Sequence, residues 1–267
     1  MTKRILCSTA LLAALAAWVC LPAAAQDASA MTPVPAMSYR VLEAPSPGKW
    51  IAPALVPHTS TPPSYCDPCL FYEGDLNPSA QNANGFANER TVLVDYATTY
   101  AAFQVPAGEH WQVTGLITNN QTDDFGILDP NQALWSISTG LSAGNPGTVI
   151  ASGVATPNVT PTGRSFHGFS EYTLAVAIPK VDLDAGQYWL SVEPQCTNGS
   201  DWACVHPFFY AEFFLSNTDL TNAYGPTAPK YKGFFSSDYF NYYYAPLCTV
   251  SPDGCEYSSV GVIGTAK

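Results

Sequence analysis

From Cys69 to Tyr244 the apolar residues fall in short runs, many of them alternating with polar ones, separated by turn formers. The runs predict strands at Thr91–Tyr96, Ala101–Val105, Trp111–Thr118, Ala133–Ser138, Thr148–Ser152, Glu171–Ile178, Tyr188–Glu193, Phe208–Leu215 and Tyr239–Tyr244. The breakers between them include Pro106-Ala107-Gly108, Asn119-Asn120, Gly144-Asn145-Pro146-Gly147, Pro157-Asn158, Asp184-Ala185-Gly186 and Asn198-Gly199. No window sustains apolar residues at i, i+3, i+4 and i+7, the spacing of a helix with one buried face. Many short strands with regular turn signals predict an all-β fold, an antiparallel β-sandwich of jelly-roll or Greek-key type. A period of two puts Trp111, Val113 and Ile117 on one face of their strand. It also sets Tyr188, Leu190 and Val192 opposite Trp189.

Ahead of this region, residues 26–65 hold Pro33, Pro35, Pro45, Pro47, Pro53, Pro57, Pro62 and Pro63. Proline at that density breaks helices and strand ladders, so an extended N-terminal arm is expected there. Residues 1–25 have the form of a processing segment. Lys3 and Arg4 precede an apolar run from Ile5 to Val19, and Ala23-Ala24-Ala25 supplies the small residues that a signal peptidase reads. The expected organisation is a signal peptide (1–25), a proline-rich arm (26–65) and a β-sandwich domain (66–267). A secreted protein, extracellular or periplasmic, follows, with no membrane association once the leader is removed.

Ala107-Gly108-Glu109-His110-Trp111 is echoed by Ala185-Gly186-Gln187-Tyr188-Trp189, with Trp three residues after Gly in both. The echo predicts two equivalent sheet corners. Three further stretches carry a resemblance: Leu134-Trp135-Ser136-Ile137-Ser138, Gly147-Thr148-Val149-Ile150-Ala151-Ser152-Gly153, and Asp182 through Val192. Over residues 90–215 the chain resembles the secreted bacterial β-sandwich domains found ahead of PEP-CTERM-type sorting tails. The resemblance implies a jelly-roll-like extracellular module and no particular chemistry. The C-terminal Gly261–Lys267 stretch has no sorting-tail pattern, so free release is expected.

Composition narrows the partners. Only 12% of the residues are charged. Without Lys3 and Arg4, 8 basic groups face 21 acidic ones, a net charge of −13. Phosphate backbones and anionic membrane surfaces bind basic proteins, so neither nucleic acid nor membrane is an expected partner. Six cysteines follow the leader, in three couples close in sequence, which predicts disulfides Cys66–Cys69, Cys196–Cys204 and Cys248–Cys255. A redox or half-zinc reading of Cys66-Asp67-Pro68-Cys69 lacks the flanking strand and helix, or a second ligand pair.

Candidate chemistry centres on aromatic density near the C-terminus. Side chains in a strand alternate between its faces, so Tyr242, Tyr243 and Tyr244 cannot all be buried together. With Tyr239 and with Trp189, they are the candidate ligand-binding residues, flat rings with polar tips that suit sugars or a protein surface. Asp123, Asp124, Asp129, Asp182 and Asp184 are loop carboxylates of the kind calcium takes, although Asp is equally a turn former; no cofactor beyond a structural calcium is expected. No Gly-x-Ser-x-Gly elbow occurs, and His58, His110, His167 and His206 show no metal spacing. The leading expectation is an extracellular binding or structural module that holds carbohydrate or protein through an aromatic surface. The alternative is a jelly-roll hydrolase or lyase acting on polysaccharide or protein through paired carboxylates.

Overall fold

Alternation of buried and open positions along several of the strands stacks two antiparallel sheets into a sandwich in this computed structural model. The structure describes residues 61–78, 85–90, 96–122, 130, 132–166, 168–195, 213–226, 233–238, 240–250 and 257–267. All of them belong to the second of the chain's two compact units, Ala54–Lys267.

One sheet has six strands. β3 (Ala97–Val105), β5 (Gln132–Thr139), β6 (Thr148–Ala155), β9 (Gly186–Gln195), β11 (Phe234–Ser237) and β12 (Tyr242–Pro246) lie in the order β12-β11-β3-β9-β5-β6. The other is built on β4 (Trp111–Thr122), flanked along its whole length by β8 (Phe169–Leu183), which in turn pairs with β7 (Asn158–Phe166). On the far side of β4, β14 (Val260–Ala266) covers its first part and β10 (Phe213–Thr218) its last residues. β1 (Cys69–Tyr72) then pairs with β14, while β2 (Gly85–Ala87) and β13 (Tyr257–Ser258) pair with β10. A single short helix, α1 (Leu247–Val250), follows β12 among the described residues. β3 pairs with β9 in one sheet and β4 with β8 in the other, the nested pairing of a rolled-up hairpin.

The core lies between the sheets. Ala133, Trp135 and Ile137 of β5 and Leu190 and Val192 of β9 face Trp111, Val113 and Leu116 of β4 and Val176 and Ile178 of β8. Tyr188, Leu190 and Val192 turn to the core side and Trp189 to the outer face, as the period of two requires. The expected face of β4 needs a correction. Against β14, a register shift between Val113 and Gly115 gives β4 one extra residue, so Leu116 joins Trp111 and Val113 inside. Ile117 moves to the outer face, under Cys66 and Tyr72.

The echoed segments form neighbouring corners that both carry the chain from one sheet to the other. His110 of the first reaches across to Asp184 of the second, Nδ1 to Oδ1 at 2.9 Å. Their tryptophans are not equivalent, however: Trp111 lies in the core and Trp189 on the opposite side of its sheet.

The outer face of the eight-stranded sheet is covered. Asp75 Oδ1 accepts hydrogen bonds from Tyr72 (2.6 Å) and Tyr65 (2.7 Å), and Arg164 Nη1 lies 3.1 Å from it. Arg164 Nε also donates to Glu171, whose side chain is completely buried. Asn119 Nδ2 donates to Tyr72 and Ser259 at 2.7 Å each, while its Oδ1 accepts from Thr173 at 2.7 Å. The predicted Cys66–Cys69 disulfide is formed at the edge of this cover. Cys248 is also disulfide-bonded. Cys196, Cys204 and Cys255 lie outside the described residues.

Candidate functional site

Among the described residues, the outer face of the six-stranded sheet is covered over Trp189 but left open beside it, and strand register writes the floor of the open part. Ser191 of β9 sits opposite Ser136 of β5, which sits opposite Ser152 of β6. The Ser136 and Ser191 hydroxyls are 2.8 Å apart. One step along, Leu134 lies between Glu193 and Val154, and Ser236 of β11 faces Thr98 of β3. These residues floor a groove of about 650 Å³. Their side chains point outward because the alternate positions, Ala133, Trp135, Leu190 and Val192, are committed to the core.

Glu193 is the acidic residue among those lining the groove. Thr98 donates its hydroxyl proton to Oε2, and Arg90 Nε donates to Oε1 at 2.9 Å. Burial raises the Glu193 carboxyl above its ordinary range, while the bonds from Thr98 and Arg90 pull it back. The guanidinium of Arg90 in turn lies over the Tyr96 ring, 5.9 Å from its centroid. Arg90 is held there by its backbone, whose N–H donates to the Pro194 carbonyl at 3.0 Å.

Aromatic rings build the opposite wall. Tyr243 is 59% exposed, the largest exposure among the described large apolar side chains. Tyr244 packs edge-on against it, with centroids 5.0 Å apart, and lies over Tyr100 at 5.2 Å. Burial raises the Tyr100 phenol above its usual range, and the bond with Tyr244 adds to this. Tyr244 has φ of 45°, in the left-handed region that a bulky aromatic seldom adopts. Its carbonyl accepts from the Gly144 N–H at 3.2 Å, tying the wall to the turn that supplies Pro146 to the groove. Backbone held in a sparsely populated region is found where surrounding structure enforces a particular side-chain placement.

Of the residues expected from sequence, Tyr243 and Tyr244 line the groove. Tyr242 points elsewhere, edge-on to Phe235 at 5.7 Å in a small cluster with Leu247. Trp189 shares the outer face but is 4% exposed, packed with Leu141 and Phe234 behind the Tyr100–Tyr244 pair. It braces the wall from within and offers no open ring. Tyr239 lies outside the described residues. Arg90, Thr98, Ser136, Ser191 and Glu193 were not anticipated, although the last three occupy the polar phase of strands whose apolar phase was legible.

No protein-family model matches the chain, and no curated protein shows significant similarity to it. The groove must therefore be read from its own chemistry.

Asp123, Asp124 and Asp129 fall outside the described residues. Asp182 and Asp184 hold the two ring nitrogens of His110, at 3.4 and 2.9 Å. Among the described residues, no three His, Cys, Asp or Glu side chains are grouped as metal ligands.

Proposed function

We propose that the protein is an extracellular carbohydrate-binding module whose ligand lies in the groove of the six-stranded sheet. The observation that carries this reading is the pairing of an open aromatic wall with a floor of hydroxyls. A sugar ring has apolar faces and a polar rim, so it stacks on Tyr243 and Tyr244 while its hydroxyls meet Ser136, Ser191 and Thr98. A groove of about 650 Å³ lies within the range of small-molecule sites and fits a short run of saccharide units. The disulfide at Cys66–Cys69 is compatible with an oxidising compartment, and among the described residues no helix is long and apolar enough to cross a membrane. Both features suit a secreted module.

Glycoside hydrolysis needs two carboxyl groups about 5–9 Å apart. The described residues of the groove supply one, Glu193, with both oxygens engaged by Thr98 and Arg90. That arrangement favours holding a ligand over cleaving it.

The test is retention on a panel of insoluble polysaccharides, comparing the unaltered chain with Tyr243→Ala and with Tyr242→Ala. Tyr243→Ala is expected to abolish retention, and Tyr242→Ala, outside the groove, to leave it intact. Equal retention of the unaltered chain and Tyr243→Ala, or retention of neither, would remove the groove reading.

A further inference from the structure

Resting on the groove reading, we propose that the saccharide carries a carboxylate, as in a uronic-acid-containing glycan, and that Arg90 is the residue that reads it. The charge exposed by the groove has the opposite sign to that of the protein. The chain is acidic, with a net charge of −11. Among the described lining residues, the charged ones are Arg90 and Glu193. The Glu193 side chain is 5% exposed and that of Arg90 is 40% exposed, so the acid lies beneath the guanidinium and the cation faces the ligand.

The guanidinium is also pre-set for such a contact. Nε is committed to Glu193, and the plane lies over the Tyr96 ring, so two of its degrees of freedom are already spent within the fold. Nη1 and Nη2 have no hydrogen-bond partner among the described residues. These two nitrogens form the end-on fork that matches the two oxygens of a carboxylate. Lysine, a single point charge, cannot reproduce that fork. Within the groove the distant acidic residues count little, because ordinary salt screens charges beyond roughly 8 Å. A single carboxylate beside Arg90 therefore meets local attraction despite the acidity of the whole molecule. The hydroxyl floor and the tyrosine wall remain for the sugar ring itself.

The probes are an oligogalacturonate and the neutral galactan oligosaccharide of equal length, titrated calorimetrically into the purified chain and into Arg90→Ala, Arg90→Lys and Tyr243→Ala variants. The unaltered chain is expected to bind the uronate oligosaccharide about tenfold more tightly than the neutral one. Arg90→Ala should erase that preference, Arg90→Lys should retain only part of it, and Tyr243→Ala should weaken both ligands alike. Arg90→Lys keeps a cation beside Glu193, which guards against loss of fold in the alanine variant; thermal melting of each variant reports this directly. Equal or tighter binding of the neutral oligosaccharide overturns the role of Arg90 and leaves the groove reading standing. Preference for the uronate that survives both Arg90 variants, in folded protein, overturns it as well. Binding of neither probe, with no retention on any polysaccharide, removes both readings together.

Discussion

The two outer faces of the sandwich use the same side chains to opposite ends. Each presents tyrosines, an arginine–glutamate pair and a set of hydroxyl or amide groups. On the eight-stranded sheet, Arg164 reaches back over Glu171 while Tyr65 and Asp75 close over Tyr72, so the groups are buried against one another, with Arg164 Nη2 and Glu171 Oε1 left unpaired beneath the cover and little open to a ligand. On the six-stranded sheet, Arg90 covers Glu193, but Tyr243 stands open and a groove lies between. Residue type therefore does not make a site. The difference lies in the loops: one face receives the β7–β8 hairpin and the segments after β1 and β10, whereas among the described residues the other receives the β5–β6 turn, which covers Trp189 and reaches the groove only at its rim, through Pro146.

The largest test of this contrast is Arg164→Ala. It strands the fully buried Glu171 carboxyl and should cost about 3–5 kcal/mol in chemical denaturation. A loss under about 1 kcal/mol would mean that the covered face is not held by its charge network. Next is Thr98→Val on the open face, which leaves the buried Oε2 of Glu193 without its donor and should cost about 1–3 kcal/mol by the same measurement. No change there would show that water already serves Glu193, and that the groove is wetter than its geometry implies.

Glu73 gives a pH test on the covered half. Its side chain is buried, Oε1 has no partner, and burial raises its carboxyl well above the ordinary 4.5. The folded protein thus keeps a proton that the unfolded chain releases. Stability from this group is full below pH 4.5 and is lost as pH rises through the folded-state value. Glu73→Gln should flatten that decline, read as melting temperature against pH; an unchanged profile would refute the assignment. The smallest structural effect is expected at Tyr243→Ala, within about 0.5 kcal/mol of the unaltered stability, because the ring packs little. That near-zero cost, set beside lost binding, is what separates the open face from the closed one.

Much of the sandwich was legible. Clean alternation over β5 and β9 announced both strand and facing, since each has one apolar and one polar phase. β14 escaped notice because Gly261 and Gly264 interrupt its apolar run; Gly264 is required, as a Cβ there would stand 2.0 Å from the Gln112 carbonyl oxygen. β7 was hidden by Pro157-Asn158 and Pro161, which an edge strand tolerates. The bulge in β4 changed the facing of Ile117 through one residue inserted relative to β14, which leaves no mark on composition. At the site, the tyrosine triplet was readable because three rings in a row cannot share a face. The floor was not, because outward serines and threonines are what any solvated strand displays. Arg90 and Glu193 are 103 residues apart, and only the fold brings them together.

The position of β14 also dictates the order in which the molecule can assemble. It lies between β4 and β1, and the Cys66 disulfide sulfur already lies against the carbonyl of Val262, 196 residues onward. As a nascent polypeptide leaves the ribosome, β1 and the near half of β4 wait with unsatisfied ladder edges until Val260–Ala266 has emerged. Contacts of such long sequence separation slow folding and leave sticky intermediates exposed. A protein built this way closes its eight-stranded sheet only after β14 is free to slot between β4 and β1.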